Sequence, residues 1–204
     1  MFKNLVCIAD DFTGAGDWAS FYAAGGSDVN LYSTLTPNIK EEGVHVLARK
    51  IRSVPKDQAI ADVEKIIQIL DSTDQVQIYY KYCSTFDSTA QGNIGPISDY
   101  ILERLGQAYT VLCPSLPANG RTVRDGILYV NGVPLEQTHM RHHPLNPMKH
   151  SAIKTLMEEQ SKYPAYILGR EIYQDALRLE SFLKEKQIFS KHFYLIPDYE
   201  TDED

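Results

Sequence analysis

The sequence predicts an α/β protein of three layers, in which a mostly parallel sheet carries helices on both faces and a β-hairpin is inserted. Short apolar runs rich in strand-forming residues alternate with longer stretches of helical period along the 204 residues. Several of these runs are apolar throughout, which is typical of strands buried on both faces. A single segment departs from the alternation, and it has the features of a hairpin.

The first part of the chain contains four predicted strands and three predicted helices. In order, the strands are "NLVCIA", "DVNLYST", "GVHVLA" and "QVQIYYKY". The helices are predicted from about Gly16, across "DQAIADVEKIIQIL" and near "GPISDYILERLG". Strands joined through helices in this way predict parallel pairing, since a parallel connection needs a long crossover.

The later part of the chain continues the alternation around the hairpin. The strands are "AYTVLCPS", "AYILG" and "HFYLIP", and helices are predicted from Ser151 and over Glu171 to Lys186. The hairpin is "GILYVNGVPL", whose Asn131-Gly132 pair favours a type I′ turn. One domain is therefore predicted over residues 1–197. The acidic residues 198–204 follow as either a solvated tail or the start of a linker.

Composition and charge exclude several classes of protein. With 43% hydrophobic and 23% charged residues, the chain has the make-up of an ordinary globular domain. The net charge is −7, but five acids lie in residues 198–204, so the rest is near neutral and predicts neither nucleic acid nor an anionic membrane as partner. No stretch is apolar and long enough to span a membrane, and three cysteines without metal spacing predict reduced thiols. We expect a cytoplasmic protein.

The first candidate site is "IADDFTGAGD", directly after the first predicted strand. Asp10 and Asp11 are suited to accept hydrogen bonds from hydroxyl groups or to act as a general base, and Asp17 is a further candidate base. Thr13 and Gly14 lie in a glycine-rich turn that would offer backbone N–H groups to an anion at a helix N-terminus. The alternative is that the acids only complement the helix dipole.

A second polar stretch, "KYCSTFDSTAQGN", follows the fourth predicted strand. Its candidate substrate contacts are Lys81, Ser84, Thr85, Asp87, Ser88 and Thr89. As an alternative, one of the last three of these residues caps the following helix. Arg52, after the third strand, is either another contact or a surface charge. Six donors and acceptors in so few residues are more than capping requires.

The third polar stretch comprises "CPSLPANGRTVRDG" and, after the hairpin, "THMRHHPLNPM". Arg121 offers a fork for a carboxylate or phosphate, and Asn119 with Gly120 predicts a tight turn that exposes backbone amides. His143 is a candidate substrate contact before a rigid proline. Adjacent histidines rarely reach one ion and no zinc spacing is present, so no metal site formed by protein ligands is predicted.

Five motifs in this order and spacing resemble the N-terminal domain of the four-carbon acid sugar kinases. They are "IADDFTGAGD", "KYCSTFDSTAQGNIGP", "CPSLPANGRTV", "GVPLEQT" and "RHHPLNPM". That family includes 3-oxotetronate, D-threonate and D-erythronate kinases. The resemblance covers nearly the whole chain.

The resemblance implies a kinase that uses ATP to phosphorylate the terminal hydroxyl of a four-carbon sugar acid. It implies that this domain holds the sugar acid, whereas ATP and Mg²⁺ belong to a C-terminal nucleotide-binding domain. No Gly-x-x-x-x-Gly-Lys-Ser/Thr loop occurs in the sequence, so we expect that domain to be absent here and supplied in cis or in trans. Alone, the chain is expected to bind substrate without turnover.

Within this hypothesis the charged residues have separate roles. Asp10 and Asp11 hold substrate hydroxyls, and one of them, or Asp17, orients or deprotonates the attacking oxygen. Arg121, Lys81 and the hydroxyls of residues 84–89 hold the carboxylate, and we expect all these loops to converge on one polar site. Two alternatives remain: a non-catalytic sugar-acid-binding module, and an NAD-dependent oxidoreductase suggested by the weak match "GAGDWA".

Overall fold

The computed structural model describes residues 4–71 and 76–204. The chain forms two compact units, which span Met1–Cys83 and Ser84–Asp204. Each unit contains its own parallel sheet flanked by helices, and the second also contains an antiparallel sheet. The predicted α/β class with an inserted hairpin is therefore confirmed, with the parallel strands divided between two sheets.

The first unit is a four-stranded parallel sheet in the order β2-β3-β1-β4. Its strands are β1 (Asn4–Ala9), β2 (Val29–Tyr32), β3 (Gly43–Ala48) and β4 (Val76–Lys81). All four predicted strands are thus confirmed, although Gln75 at the predicted start of the fourth lies outside the described residues. The first strand is central because it pairs with both β3 and β4.

Two helices supply apolar side chains to this unit. They are α1 (Phe12–Ala24) and α2 (Lys56–Leu70). Alternate residues of β1 and β3 pack against α1, forming a cluster of Cys7, Ala9, Ala15, Trp18, Val46 and Ala48. The intervening strand residues Val6, Ile8 and Leu47 are equally buried. Because both faces of the strands are apolar, the strands read as continuous hydrophobic runs rather than as alternating ones.

The strand register places three carboxyl ends level with one another. Ala9 lies opposite Ala48 on one side and Lys81 on the other. The ladder continues one residue further, since the N–H of Asp10 donates to the carbonyl of Lys81 at 3.0 Å. The residues that follow β1, β3 and β4 therefore lie along one edge of the sheet.

The second unit contains the remaining elements. In chain order they are α3 (Ile94–Leu105), β5 (Tyr109–Val111), β6 (Arg121–Arg124), β7 (Ile127–Val130), β8 (Val133–Pro134), α4 (Ile153–Glu158), β9 (Ala165–Leu168), α5 (Arg170–Tyr173), α6 (Ala176–Phe189) and β10 (Phe193–Pro197). The parallel sheet has the order β5-β10-β9, and the antiparallel sheet the order β6-β7-β8.

The antiparallel sheet contains two tight turns of the same kind. Asn131 and Gly132 have φ values of 51° and 76°, as a type I′ turn requires, so the predicted hairpin is confirmed. Asp125 and Gly126, with φ values of 51° and 71°, form a second such turn that the sequence analysis did not identify. The inserted element is therefore a three-stranded meander.

Two predicted helix boundaries are wrong. The helix expected over Glu171 to Lys186 is interrupted, because the carboxylate of Asp175 accepts hydrogen bonds from the N–H groups of Leu177 and Arg178 and so starts α6 anew. Likewise, α1 begins at Phe12 rather than near Gly16. In both places a capping aspartate, and not the hydrophobic period, sets the boundary.

The acidic end folds onto the second unit. Tyr199 and Val123 exchange backbone hydrogen bonds of 2.8 and 2.9 Å. The carboxylate of Asp204 accepts from Nη2 of Arg170 at 2.7 Å and from the N–H of Glu200 at 2.9 Å. That residues 198–204 begin a linker stays a prediction.

Candidate functional site

Asp10 lies at the carboxyl end of the central strand, and a neighbouring loop encloses it. Its carbonyl accepts from the N–H groups of Ile51 and Arg52 at 3.1 and 3.3 Å, which fixes the loop after β3 against β1. The side chain of Asp10 is only 2% exposed. A carboxylate this deeply buried requires a charged or hydrogen-bonding partner.

Arg52 is that partner, and it also reaches Asp11. Its Nε and Nη2 donate to the two carboxylate oxygens of Asp10, both at 2.8 Å, while Nη2 lies 2.9 Å from Oδ2 of Asp11. Burial raises the pKa of Asp10, and the hydrogen bonds and charge of Arg52 oppose that rise. Arg52, predicted as a contact or a surface charge, is thus an internal counter-ion; its contact with substrate stays a prediction.

Asp11 combines a structural role with partial access to solvent. Its Oδ1 accepts the N–H of Gly14 at 2.6 Å, so Asp11 is the N-cap of α1. This position agrees with the alternative that the acids complement the helix dipole, but the side chain of Asp11 is still 32% exposed. Of the two adjacent acids, Asp11 is the one that a ligand can reach.

Gly14 lies inside the first turn of α1, which corrects the predicted glycine-rich turn. A Cβ at this position would be 2.8 Å from Oδ1 of Asp11, so the cap leaves no room for a side chain. By contrast, a Cβ at Gly16 would meet no atom within 4 Å. The dinucleotide match "GAGDWA" thus lies on a helix and lacks the strand-to-helix glycine loop that such a site needs.

Lys81 places a positive charge beside the N-terminus of α1. Its Nζ donates to the carbonyl of Tyr82 at 2.9 Å and lies 3.7 Å from the position of a Cβ on Gly14. Because the positive end of the helix dipole is at the same place, this corner of the sheet attracts anions. The side chain is half-buried, so an anion can reach it.

Thr13 and Asp17 lie further along α1. Thr13 is exposed in the first turn, whereas Asp17 is six positions beyond the cap, roughly 9 Å along the axis at the usual helical rise. Asp17 is therefore a weaker candidate for the base, although its role stays a prediction.

In the second unit, Asp87 lies in a strained segment. Phe86 and Asp87 both have positive φ values, 61° and 32°, and Asp87 is 8% exposed. Nδ2 of Asn146 donates to the carbonyl and to Oδ1 of Asp87, each at 3.0 Å. Strain of this kind persists only where neighbours enforce it, and it is concentrated at functional sites.

The same asparagine orients His143. The backbone N–H of Asn146 donates to Nδ1 of His143 at 3.1 Å, so a neutral imidazole carries its proton on Nε2. Nδ1 is also 3.5 Å from Oδ1 of Asp87, which brings two predicted contacts together. Sequence analysis missed Asn146; the signal was its place before a proline in "HPLNPM".

The other polar residues of this stretch have different environments. None of Asp87, Ser88 and Thr89 caps α3, because Asn93 is the N-cap, so that alternative is wrong. Ser88 is buried and its hydroxyl donates to Oε1 of Gln160 at 3.0 Å, which indicates a structural role. Thr85 is buried as well, whereas Ser84 is half-buried. Their contact with substrate stays a prediction.

Asn119, Gly120 and Arg121 form the predicted tight turn at the start of β6. Nη1 of Arg121 donates to the carbonyl of Asn119. Gly120 has a φ of 72°, and a Cβ there would be 2.1 Å from Oδ1 of Asn131, so glycine is required. In the described part of the chain, Nε of Arg121 is buried without a hydrogen-bond partner. The proposed carboxylate contact of Arg121 stays a prediction.

Two of the three thiols lie near these groups, since Cys7 interacts electrostatically with Lys81 and Asp10, and Cys83 with Arg52. Cys7 is buried, Cys83 and Cys113 are half-buried, and all three are free. Burial raises the pKa of Cys7 and of Cys113, which makes them poor nucleophiles.

A cleft of about 350 Å³ beside α2 contains the Arg49–Asp62 ion pair but none of the predicted site residues.

Comparison with known proteins identifies the family of this chain. Residues 5–204 match the family described as the sugar-binding N-terminal domain. The chain belongs to this family, and the resemblance noted from its motifs is confirmed. A 3-oxo-tetronate kinase of Brucella melitensis is 44% identical over 86% of this chain and 42% of its own length. A 3-oxo-tetronate kinase of Haemophilus influenzae is 41% identical over 89% of this chain and 44% of its own length. The chain thus spans less than half of these relatives.

Solved structures show the same fold. A Haemophilus influenzae protein superimposes with a TM-score of 0.86 at 35% identity, over 97% of this chain and 48% of that one. A Bordetella bronchiseptica protein superimposes with a TM-score of 0.79 at 25% identity, over 100% of this chain and 50% of that one. It was solved with bound citrate as a domain-swapped dimer. Among the residues that our structure describes, no helix has the length and apolar character needed to cross a membrane.

Proposed function

We propose that this chain holds the sugar acid for an ATP-dependent kinase that phosphorylates the terminal hydroxyl of a four-carbon acid, with 3-oxotetronate as the first candidate. The observation that carries the proposal is the combination of Lys81 and Asp11 at the N-terminus of α1, in a chain of the sugar-binding family. The name 3-oxo-tetronate kinase of the relatives supports this substrate.

The two charges suit the two ends of such a substrate. Lys81 and the helix N-terminus attract the carboxylate, and a charge-assisted hydrogen bond there contributes about 1.5–3 kcal/mol. Asp11, which is 32% exposed, accepts hydrogen bonds from hydroxyl groups. Asp10 is too deeply buried to touch a ligand directly, so its role is to fix Arg52. Asp11 is thus the preferred base, ahead of Asp17.

Asp87 and His143 form a second group of candidate contacts. The carboxylate of Asp87 accepts hydrogen bonds, and the Nε2–H of a neutral His143 donates one, so together they suit a hydroxyl group. Both side chains are held by Asn146, which keeps their geometry independent of ligand. Substitutions test this group separately from Lys81 and Asp11.

The carboxylates that follow the first strand are already engaged and do not fit Mg²⁺. Both oxygens of Asp10 are engaged by Arg52, and those of Asp11 by Arg52 and Gly14. In residues 4–71 and 76–204, no three His, Cys, Asp or Glu side chains lie close enough to share a metal ion. We therefore assign nucleotide and Mg²⁺ to a separate nucleotide-binding domain, in cis or in trans.

The citrate bound to the Bordetella bronchiseptica protein supports the ligand class. Citrate combines carboxylates with a hydroxyl group, as does a four-carbon sugar acid. The citrate is bound by that protein and not by this chain. Its carboxylates are groups of the kind that Lys81 and the N-terminus of α1 attract.

Calorimetry tests the proposal directly. The chain is titrated with 3-oxotetronate, D-threonate and D-erythronate, and we expect at least one to bind. Lys81→Met should weaken that binding tenfold or more, whereas Lys50→Met, which removes an exposed lysine of the loop after β3, should not. The proposal is wrong if none of the acids binds, or if both variants bind as tightly as the unchanged chain.

Kinase activity separates an enzyme from a binding module. Addition of the part of one of the relatives that this chain does not cover, with ATP and Mg²⁺, should give phosphorylation of the bound acid. Binding without any phosphorylation in that mixture would favour the non-catalytic module.

A further inference from the structure

Tyr80 lies next to the Asp10–Arg52 pair but takes no part in it. In the sheet register Tyr80 is opposite Ile8, and residues two apart on a strand share a face, so Tyr80 and Asp10 lie on the same side of the sheet. The backbone joins them closely, because the N–H of Asp10 donates to the carbonyl of Lys81, the residue after Tyr80.

The hydroxyl of Tyr80 differs from the other described buried side-chain polar groups of the first unit, because it has no hydrogen-bond partner. It is buried, and no hydrogen-bond partner for it exists among residues 4–71 and 76–204. An unpaired buried hydroxyl is unfavourable, since the group has lost its hydrogen bonds to water. Its ring contacts Tyr82 edge-on at 5.6 Å, which positions the ring and leaves the hydroxyl unpaired.

Of the described charged groups that act on this hydroxyl, Asp10 and Arg52, only Asp10 can accept a hydrogen bond from it. Burial raises the pKa of Tyr80, the negative charge of Asp10 raises it further, and Arg52 opposes both. The hydroxyl therefore stays protonated and acts as a donor. Arg52 cannot accept a hydrogen bond, because a guanidinium has no acceptor atom. Each carboxylate oxygen of Asp10 accepts one hydrogen bond from Arg52 and has a second lone pair that can accept another.

We propose that Tyr80 is a positioning residue, whose hydroxyl donates to Asp10 when Arg52 turns part of its guanidinium to the bound sugar acid. The exchange keeps the buried carboxylate of Asp10 satisfied while Arg52 acts as the substrate contact. The hydroxyl of Tyr80 is itself too buried to touch the ligand. This inference rests on the proposed function, since it needs a bound sugar acid.

Two measurements on Tyr80→Phe, the melting temperature and the Kd, test the proposal. If the hydroxyl had a purely structural role, its removal would lower the melting temperature and weaken binding together. Because the hydroxyl is unpaired without ligand, its removal should leave the melting temperature unchanged or raise it. Because the hydroxyl is needed with ligand, the Kd for 3-oxotetronate should rise about five- to tenfold. The matched control is Tyr32→Phe, which removes a hydroxyl that is paired with Nδ1 of His45 at 3.3 Å. That control should lower the melting temperature and leave the Kd unchanged.

A double-mutant cycle shows whether Tyr80 acts through Asp10. In an Asp10→Asn background, Tyr80→Phe should change the Kd by less than about twofold, since the buried charge is gone. Equal losses in both backgrounds, an unchanged Kd for Tyr80→Phe, or a melting temperature lowered as in Tyr32→Phe would each overturn the inference. Failure of the unchanged chain to bind any of the three acids would instead refute the proposed function, and this inference with it.

Discussion

Arg52 holds both carboxylate oxygens of Asp10 in a two-pronged ion pair, with Nε and Nη2 each at 2.8 Å. The two residues follow adjacent parallel strands, β1 and β3, and are 42 positions apart in sequence. The pair therefore joins two strand-end loops at the point where we place the sugar acid. Its removal should affect both stability and binding.

Arg52→Ala should lower the free energy of unfolding by about 3 kcal/mol, because it leaves Asp10 buried and unpaired. The control is Arg49→Ala, which removes an equally two-pronged pair with Asp62 at 2.6 and 2.7 Å. Asp62 is 21% exposed, so water can replace Arg49 and a loss of about 1 kcal/mol is expected. Urea unfolding measures both; equal losses would contradict the view that burial of Asp10 dominates.

The two glycines of α1 should respond in opposite directions to alanine. Gly16→Ala meets no atom within 4 Å and should stabilise the chain by roughly 0.5–1 kcal/mol. Gly14→Ala forces the carboxylate of Asp11 from its capping position, with a cost of about 1 kcal/mol. Gly14→Ala should also weaken sugar-acid binding, measured by calorimetry, whereas Gly16→Ala should not. Equal behaviour of the two variants would show that the cap is unimportant.

Asp87→Asn separates charge from backbone conformation. Asparagine tolerates positive φ and keeps an oxygen for Asn146, so the melting temperature should change little. The affinity for the bound sugar acid should fall about tenfold or more, as expected for loss of a charge-assisted hydrogen bond. Asp125→Asn, at a φ of 51° in the meander, is the matched control and should bind normally. Unchanged binding by both variants would remove Asp87 from the site.

The carboxylate of Asp204 should contribute stability that depends on pH. Hydrogen bonds from the N–H groups of Glu200 and Thr201, more than the charge of Arg170, lower its pKa below the ordinary value of an aspartate. A lowered folded-state pKa means that the stabilisation is present above the unfolded-state pKa and is lost as the pH falls through the folded-state value.

The measurement is the melting temperature of the chain and of Asp204→Asn from pH 6 down to about pH 2.5. The two should differ most at pH 6, and the difference should shrink below about pH 4. The matched control is Asp202→Asn, which removes a nearby exposed carboxylate. A difference that is constant with pH would contradict the assignment.

Much of the fold could be predicted because the strands are encoded locally. The apolar runs of β1 and β3 are buried on both faces, so each signals a parallel strand without reference to its neighbours. The Asn131-Gly132 turn is equally local, since its backbone conformation selects those residue types. The break before α6 was missed because one aspartate cap outweighs a helical period that continues across it.

The candidate site was predictable in part. Asp10, Asp11 and Lys81 could be proposed as site residues because polar residues directly after a buried strand are conspicuous in the sequence. Asn146 and Tyr80 were missed, since an asparagine in a loop and a tyrosine in a strand have ordinary local explanations. Their importance depends on contacts made across the fold: Asn146 reaches Asp87, 59 positions away.

The sequence by itself determined the strands, most of the helices, the hairpin with its type I′ turn, the sugar-binding family and the acids that end the first strand. Each of these features depends on residues that are close together in the sequence. Only the tertiary structure decided that Arg52 neutralises Asp10 and that Asp11 caps α1 with Gly14 inside the helix. It alone also showed that the hydroxyl of Tyr80 is unpaired. The physical reason is that ion pairing, burial and unmet hydrogen bonds depend on which distant residues the strand register brings together.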